Sequence, residues 1–321
     1  MKLDTSYMGI ALSSPILVTD AIPDADLLAP IVDAGVGAVV LRPLLEEEII
    51  LDIKMNGREV APVFNYGANL KVAQQTFDSD YVKRYLERIS QLKQHLAVPI
   101  IASIDCYSFD AWFAHVRFFV EAGCDAIEFN AQLIPTDITT SYEDEDRLYN
   151  DLTSTYRRMT SVPFSIRVTP YQTDMASFAQ RLSWQGVNNI TLFNDLAPID
   201  IDLQRVETVA GIVPASIRSI QWTALLKQQI TCDLSTTVND GEGVVKALLA
   251  GATTAHISHC GGAADSSHFR AAADTLKEWM RQHGHESIDS FRGTLVSPAS
   301  KQGALAQRAS HIEYMKKAHL R

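Results

Sequence analysis

Short runs of apolar and β-branched residues recur along the chain, and each is followed by a longer stretch of mixed polarity. The runs are continuously apolar rather than alternating, which is typical of parallel strands buried on both faces of a sheet. They predict eight strands, over residues 15–19, 38–41, 98–105, 126–130, 164–169, 189–194, 230–235 and 254–258.

The stretches that follow these runs bring apolar residues back every three or four positions, as amphipathic helices do. They predict eight helices, over residues 24–34, 80–95, 109–122, 143–160, 175–185, 219–226, 242–250 and 266–283. Eight strand–helix units predict an α/β protein, a single (β/α)8 TIM barrel over residues 1–321, although a doubly wound sheet also fits the pattern. Segments 54–77 and 197–218 predict loop insertions on the face where the strands end.

Charge and composition narrow the functional classes. The net charge of −10 and pI near 5.3 argue against nucleic-acid binding, which needs a basic surface. No run approaches the roughly 18 apolar residues of a membrane span, and the first residues do not resemble a signal peptide. The four cysteines have neither pairing nor metal-site spacing. We expect a soluble cytoplasmic protein with a small-molecule ligand and no membrane partner.

The ends of the predicted strands are polar. In a barrel of this type, the carboxyl ends of the strands form the active-site face. The residues there are Thr19, Asp20, Arg42, Asp105, Asn130, Arg167, Asn194, Asp195, Ser235, Thr236, Thr237, Ser258 and His259. This set predicts a site for an uncharged, hydrogen-bonding ligand with an anionic tail, although any one strand end is polar simply because it meets water.

Several motifs in order resemble one enzyme family. They are the opening segment 3–10, segments 34–41 and 121–130, Leu192-Phe193-Asn194-Asp195 with segment 200–203, segment 248–252 and the closing segment 278–293. From Met1 to about Thr294 the chain looks like the dihydroorotate dehydrogenase family of FMN-dependent barrels, and in particular a divergent dihydroorotate dehydrogenase-like branch. The resemblance implies an N-terminal β-hairpin ahead of the barrel.

The resemblance also implies a flavoprotein oxidoreductase that oxidises dihydroorotate or a related small planar substrate, nominally in pyrimidine biosynthesis. FMN would lie across the barrel mouth. The residues expected to bind it are Thr19, Asn130, Arg167, Asn194, Ser235, Thr236, Thr237, Ser258 and His259. Asn65, Asn69 and Asn194 are the expected substrate-binding residues. A homo-oligomer or a complex with a related chain is expected.

Arg167 stands where the family usually has a lysine. A cation there would stabilise the anionic reduced flavin, although an arginine is planar and bulkier than a lysine. The alternative is a structural ion pair with an aspartate at the barrel mouth. For Asn130 and Asn194, the alternative is capping of the turns where the strands end.

The chain departs from the family pattern in its phosphate loops and its proton base. Ser235-Thr236-Thr237-Val238 and Ser258-His259-Cys260 replace glycine-containing loops, and Gly261-Gly262 follow slightly late. Leu133 lies near the position of the family's Cys or Ser base, and a leucine cannot accept a proton.

Because of these departures the catalytic residue is left unassigned, and a second hypothesis stays open. In it the chain is a catalytically silent, flavin-free paralogue that acts as a binding or scaffold subunit. No metal site is predicted, because His256 and His259 are three apart on a strand and so face opposite ways.

Overall fold

The computed structural model describes residues 1–56, 79–105, 109–131, 141–194, 199–202, 207–210, 216–259, 265–296 and 301–318. The strands are β1 (Thr5–Tyr7), β2 (Ile10–Leu12), β3 (Ile16–Ala21), β4 (Ala38–Leu41), β5 (Leu44–Leu45), β6 (Ile100–Asp105), β7 (Ala126–Asn130), β8 (Phe164–Val168), β9 (Asn189–Leu192), β10 (Ile199–Asp202), β11 (Glu207–Ala210), β12 (Asp233–Val238) and β13 (Thr254–Ser258).

The helices are α1 (Ala25–Asp33), α2 (Glu46–Met55), α3 (Asp80–His95), α4 (Phe109–Glu121), α5 (Tyr142–Met159), α6 (Met175–Trp184), α7 (Ser216–Leu226), α8 (Gly241–Leu249), α9 (Ser266–Gln282) and α10 (Lys301–Ala318), with a 3-10 turn at Ile288–Ser290. Within the described ranges, no helix has the length and apolarity needed to cross a bilayer.

Eight parallel strands close into a barrel and confirm the predicted fold. Their order is β3, β4, β6, β7, β8, β9, β12 and β13, with β13 pairing back onto β3 and the short β5 alongside β6. Outward-facing residues of the strands pack against the surrounding helices in one apolar core. That core includes Phe129, Tyr156 and Phe164, whose ring centroids lie 4.3 to 6.1 Å apart.

The predicted N-terminal hairpin is also present. Strands β1 and β2 pair antiparallel, and the turn between them contains Met8 and Gly9 with positive φ angles of 54° and 82°. Tyr7 is fully buried against inward-facing residues at the amino ends of the strands, such as Leu17 and Ile101. The Met8 N–H donates to Asp233 Oδ2 at 2.7 Å. The hairpin therefore closes the barrel end opposite the expected site.

The structure refines several predicted elements. Strand β12 starts at Asp233, three residues later than the start predicted at residue 230, because the N–H groups of Thr231 and Cys232 bind Ser183 Oγ. Helix α2 includes the first two residues of segment 54–77, which was expected to be a loop. Three glutamates in the first turn stabilise this helix, because their negative charges lie at the positive end of the helix dipole. The second predicted insertion contains the β10–β11 hairpin.

Candidate functional site at the barrel mouth

The inward face of the barrel is polar on one side. Residues from β7, β8, β9, β12 and β13 form a hydrogen-bonded chain through the interior, consisting of Glu128, Ser165, Asn189, Thr191, Ser235, Thr254 and His256. Every one of them is buried. Branched apolar residues usually fill this volume in such barrels, so the polar interior is a departure that a binding function would explain.

Arg167 joins this chain at Glu128. Its guanidinium is 2.8 Å from Glu128 Oε1 and 3.8 Å from Asp20 Oδ2, and it also donates to Thr19 Oγ1. Burial alone lowers the pKa of Arg167, but the two carboxylates outweigh it and raise that pKa. The alternative to flavin contact was an ion pair with an aspartate at the barrel mouth. The structure contains such a pair, with Asp20, and adds a closer one with Glu128.

Asp20 reaches this position because of its backbone. Its φ angle is 55°, in the left-handed region that an aspartate tolerates better than most residues, and the pairing of β3 with β4 shifts between Val18 and Ala21. The Asp20 carboxylate then accepts a hydrogen bond from Ser258 Oγ at 2.9 Å. An acid therefore lies at the mouth, on the strand where FMN contact is expected at Thr19.

Three expected ligand residues have side-chain atoms left unpaired among the described residues. The Asn130 amide donates to Ser103 Oγ at 3.1 Å, but its buried Oδ1 accepts no hydrogen bond. Asn194 Nδ2 and His259 Nδ1 are also buried without a partner. Buried polar atoms are nearly always paired, with protein, ligand or water, so these three atoms call for a partner beyond the described side chains.

The hydroxyl groups expected to bind the phosphate are already engaged. Ser235 Oγ donates to Asn189 Oδ1 at 3.0 Å, and Thr237 Oγ1 donates to the Phe193 carbonyl at 3.3 Å. Thr236 faces away from the interior and lies 2.6 Å, oxygen to oxygen, from Thr223 on α7. The Thr236 side chain therefore lies between the sheet and the helices, so that only the backbone atoms of Thr236 face a ligand in the mouth.

Carboxylates also cap the two helices that follow β12 and β13. Asp240 Oδ1 accepts the Gly243 N–H of α8 at 2.8 Å. Asp265 Oδ1 accepts the N–H groups of Ser267 and His268 of α9 at 3.0 and 3.1 Å. A phosphate would need these same N–H groups if it bound a helix N-terminus.

The described residues thus fit FMN only in part. The unpaired amide atoms of Asn130 and Asn194 suit the polar edge of a flavin ring, whereas the engaged hydroxyls and capped helices do not supply a phosphate cradle. Gly261-Gly262, Leu133, Asn65, Asn69 and Cys106 lie outside the described residues. For this reason we derive no reaction step through a flavin.

Two buried carboxyl groups belong to this region: Asp105, which the sequence analysis named as a polar strand end without a role, and Glu128, which it did not name. Glu128 lies within segment 121–130, and its inward position is set by its pairing opposite Ser165 on β8. Asp105 ends β6 and is 7% exposed. Burial, followed by the charges of Glu47 and Glu46, raises the pKa of Asp105 to about 7, against an opposing effect of Arg167. The sequence signal for Asp105 was that Ser103 and Asp105 are polar at every second position of an otherwise apolar strand, and so lie on one face with Ile101.

The two histidines near the end of β13 differ in environment. His256 is fully buried, and burial together with the charge of Arg167 lowers its pKa to about 3, so its ring is neutral. Its Nε2 lies 3.3 Å from Thr254 Oγ1, while His259 lies at the mouth with 8% of its surface exposed. Within the described part of the chain, no group of three or more His, Cys, Asp or Glu side chains is arranged to hold a metal ion.

Arg42, another of the polar strand ends named from the sequence, lies elsewhere. Its guanidinium is 2.8 Å from Glu48 on α2, and half of the side chain is exposed. It lines a separate cleft beside α3. Comparison with known proteins adds no family assignment: no protein-family model matches this chain, and a search of curated proteins returns no significant match.

Proposed function

We propose that the protein is an FMN-dependent oxidoreductase of the dihydroorotate dehydrogenase type, with the flavin ring at the barrel mouth. The observation that carries the proposal is a pair of amide atoms, Asn130 Oδ1 and Asn194 Nδ2, that have no hydrogen-bond partner among the described residues. One is an acceptor and the other a donor, and a ring with adjacent carbonyl and N–H groups complements both. When bound, the flavin would supply the hydride-accepting chemistry that the side chains lack.

The chain's own residues would bind and orient the ring. Asn130 is held by Ser103, so its free oxygen has a fixed direction before a ligand arrives. Arg167 is held by Glu128 and Asp20 and would supply a positive charge that stabilises an anionic reduced flavin. A pre-organised group of this kind needs little reorganisation on binding.

Further parts of the proposal come from the resemblance and from composition. They are a small planar substrate such as dihydroorotate, a place in pyrimidine biosynthesis, a cytoplasmic location, and assembly with a second copy or a related chain. Asn65 and Asn69 are kept as substrate-binding residues within this proposal.

The test is flavin content and flavin uptake. Freshly purified protein should absorb near ~450 nm and release FMN on denaturation. In FMN titrations, Asn130→Ala and Asn194→Ala should each weaken binding by about tenfold, because each removes one hydrogen bond to a buried ligand. Asn150→Ala is the control, since Asn150 bonds Asp146 on the outside of the barrel. Colourless protein that takes up no added FMN would reject the proposal.

A second candidate is a flavin-free binding or scaffold subunit. Asp240 and Asp265 favour it, because their carboxylates occupy the helix N-termini beside the expected phosphate position. Native mass spectrometry of the chain purified from its own cells tests it. This candidate requires a stoichiometric protein partner together with absence of FMN, and a flavin-loaded chain would exclude it.

A further inference from the structure

A cleft of about 300 Å³ lies between α3 and the residues that follow β3 and β4, and it is lined by none of the residues that bond Arg167. One wall is a single face of α3, formed by Tyr81, Arg84, Tyr85 and Arg88, whose spacing places them on adjacent turns. The opposite wall is formed by the residues that follow β3 and β4. The site proposed above uses none of these residues.

The cleft is positively charged although the chain is strongly negative. Three arginines line it, Arg42, Arg84 and Arg88, together with one acid, Asp24. The lining side chains therefore sum to +2, in a chain whose net charge is −10, while Glu48 and Asp52, the partners of Arg42 and Arg84, lie outside the lining. The surface that faces a ligand is therefore positive, which favours small anions over cations.

The carboxylates nearest to Arg84 and Arg88 make their shorter hydrogen bonds to other groups. Asp52 Oδ2 accepts from Ser79 Oγ at 2.7 Å, and its Oδ1 is 3.9 Å from Arg84. Asp24 Oδ1 caps α1, and its Oδ2 is 3.6 Å from Arg88.

Both of these ion pairs are longer than a hydrogen bond. A guanidinium has five N–H donors, and Arg88 uses one of them on the Pro23 carbonyl at 3.3 Å. Among the described residues, Arg84 and Arg88 therefore keep donors for a ligand.

The base of the cleft is rigid. Tyr85 Oη donates to the Arg42 carbonyl at 3.0 Å and also lies 3.2 Å from both the carbonyl oxygen and the amide nitrogen of Ser103 on β6. These bonds tie α3 to the ends of two barrel strands. Arg42 itself is fixed by Glu48. The cleft is therefore formed before any ligand binds, which lowers the entropic cost of binding.

The rest of the lining is apolar. Ile22 is half exposed, and Pro23, Pro43 and the ring of Tyr81 complete the surface. Aromatic and proline surfaces accept flat groups, whereas arginine side chains bind phosphate and carboxylate in a forked geometry. We propose that this cleft binds a small organic anion in which a phosphate or carboxylate, held by Arg84 and Arg88, is attached to a planar apolar group packed against Ile22 and Tyr81.

The test is calorimetric titration of the full chain with four probes: phenyl phosphate, benzoate, inorganic phosphate and benzyl alcohol. Phenyl phosphate should bind with a Kd of about 0.1–1 mM, in keeping with its size. Added salt should weaken that binding because the contact is ionic. Inorganic phosphate should bind more weakly and benzyl alcohol not measurably. The benzoate result decides between phosphate and carboxylate as the preferred head group.

Matched variants locate the site. Arg84→Gln combined with Arg88→Gln should weaken phenyl phosphate binding by at least about tenfold. Arg117→Gln is the control, because Arg117 is an exposed arginine paired with Glu121 on another helix. Asn130→Ala should leave this binding unchanged whether or not the barrel mouth binds FMN. All of these side chains except that of Asn130 are on the surface, so circular dichroism should show folded variants.

Two results would overturn the proposal. One is no detectable phenyl phosphate binding up to about 10 mM, which is weaker than a built site of this size should show. The other is equal loss of binding in the Arg117→Gln control, which would mean that the anion binds to arginines anywhere on the surface.

Discussion

Arg167 and Glu128 form an ion pair inside the barrel, with Arg167 Nη2 at 2.8 Å from Glu128 Oε1 and with 5% and 1% of the two side chains exposed. The pair depends on strand register, because β7 and β8 align Glu128 with Ser165 and Asn130 with Arg167. Removing two charges from water is costly unless each has a partner. The pair is therefore more informative about specificity and function than about stability.

Breaking this pair should destabilise the fold strongly. Glu128→Gln leaves the guanidinium of Arg167 buried with Asp20 as the remaining acid, at 3.8 Å. We expect a loss of about 3–5 kcal/mol in the free energy of unfolding, measured by urea denaturation. Replacing both residues, Glu128→Leu with Arg167→Met, should recover much of the loss, since the one charge left without its ion pair, Asp20, is 28% exposed to water and still accepts from Ser258.

The control for this prediction is Glu121→Gln, which breaks the exposed pair with Arg117 on α4. Exposed pairs contribute little in water, so this variant should unfold almost as the unmodified chain does. Equal effects at Glu128 and Glu121 would show that the interior pair is solvated and not held as the structure has it.

The barrel could be predicted from the sequence because each strand is a continuous apolar run and each helix an amphipathic one. The interior network could not, because it depends on register. Glu128 and Arg167 are 39 positions apart; the predicted barrel makes the strands that carry them neighbours, but nothing local fixes their register or shows that those two side chains face inward. Strand ends such as Asn130 and Asn194 were identifiable, since polarity at the end of an apolar run is a local feature.

Other differences also have local physical causes. The predicted strand began at residue 230, before the observed start of β12, because the residues there are apolar or β-branched. In the structure, the N–H groups of Thr231 and Cys232 donate to a serine on α6 and not to a neighbouring strand. The side chain of Thr236 was expected at the ligand, but strand alternation turns it towards α7.

Asp105 should make stability depend on pH. Its folded-state pKa is about 7, above the ordinary value of 3.8, so the folded chain binds this proton more tightly than the unfolded chain. The stabilisation is complete below about pH 4 and is lost as the pH rises through about 7, by up to about 1.4 kcal/mol per pH unit. The groups around the carboxyl are Glu46 and Glu47, which oppose ionisation, and Arg167, which favours it.

The measurement is urea denaturation at intervals between about pH 4.5 and 8, where a single carboxyl with this pKa titrates. Asp105→Asn should remove the fall in stability across this range, whereas the exposed control Asp151→Asn should retain it. Parallel curves for Asp105→Asn and the unmodified chain would show that Asp105 does not hold its proton in the fold.

Gly37 should not tolerate a side chain. A Cβ at this position would overlap the Ser14 carbonyl oxygen, in the segment that leads from the hairpin into β3. That segment is fixed, since the Gly37 N–H donates to the Ile16 carbonyl at 2.8 Å. Gly37→Ala should therefore cost more than about 3 kcal/mol in unfolding free energy, because the overlap is with backbone and not with a flexible side chain.

Gly284→Ala is the matched comparison for Gly37→Ala. Gly284 has a φ angle of 72°, and an added Cβ would meet no atom within 4 Å. The cost there is conformational alone, about 1–2 kcal/mol. Thermal and urea unfolding of both variants checks the prediction, and a Gly37→Ala variant as stable as Gly284→Ala would contradict the close approach of Ser14.

Replacing Asp240 tests whether the carboxylate that caps α8 repels the phosphate of a bound FMN. Its carboxylate holds the Gly243 N–H at 2.8 Å, directly after β12. Serine also caps helices well but carries no charge. Asp240→Ser should therefore keep α8 folded, while it removes a negative charge from the region where the phosphate of FMN is expected. The apparent Kd for FMN should fall by about tenfold, the effect of roughly 1.4 kcal/mol of relieved repulsion.

Asp24→Ser is the control, because Asp24 caps α1 in the same way, in the loop after β3, which β13 separates from β12. It should leave FMN binding unchanged. A fall in Kd for Asp240→Ser alone would place the phosphate near α8 and support the oxidoreductase. If neither variant changes the affinity, the N-terminus of α8 is not the phosphate position. If neither binds FMN at all, the flavin-free candidate becomes the better explanation, since the obstructing charge has then been removed without effect.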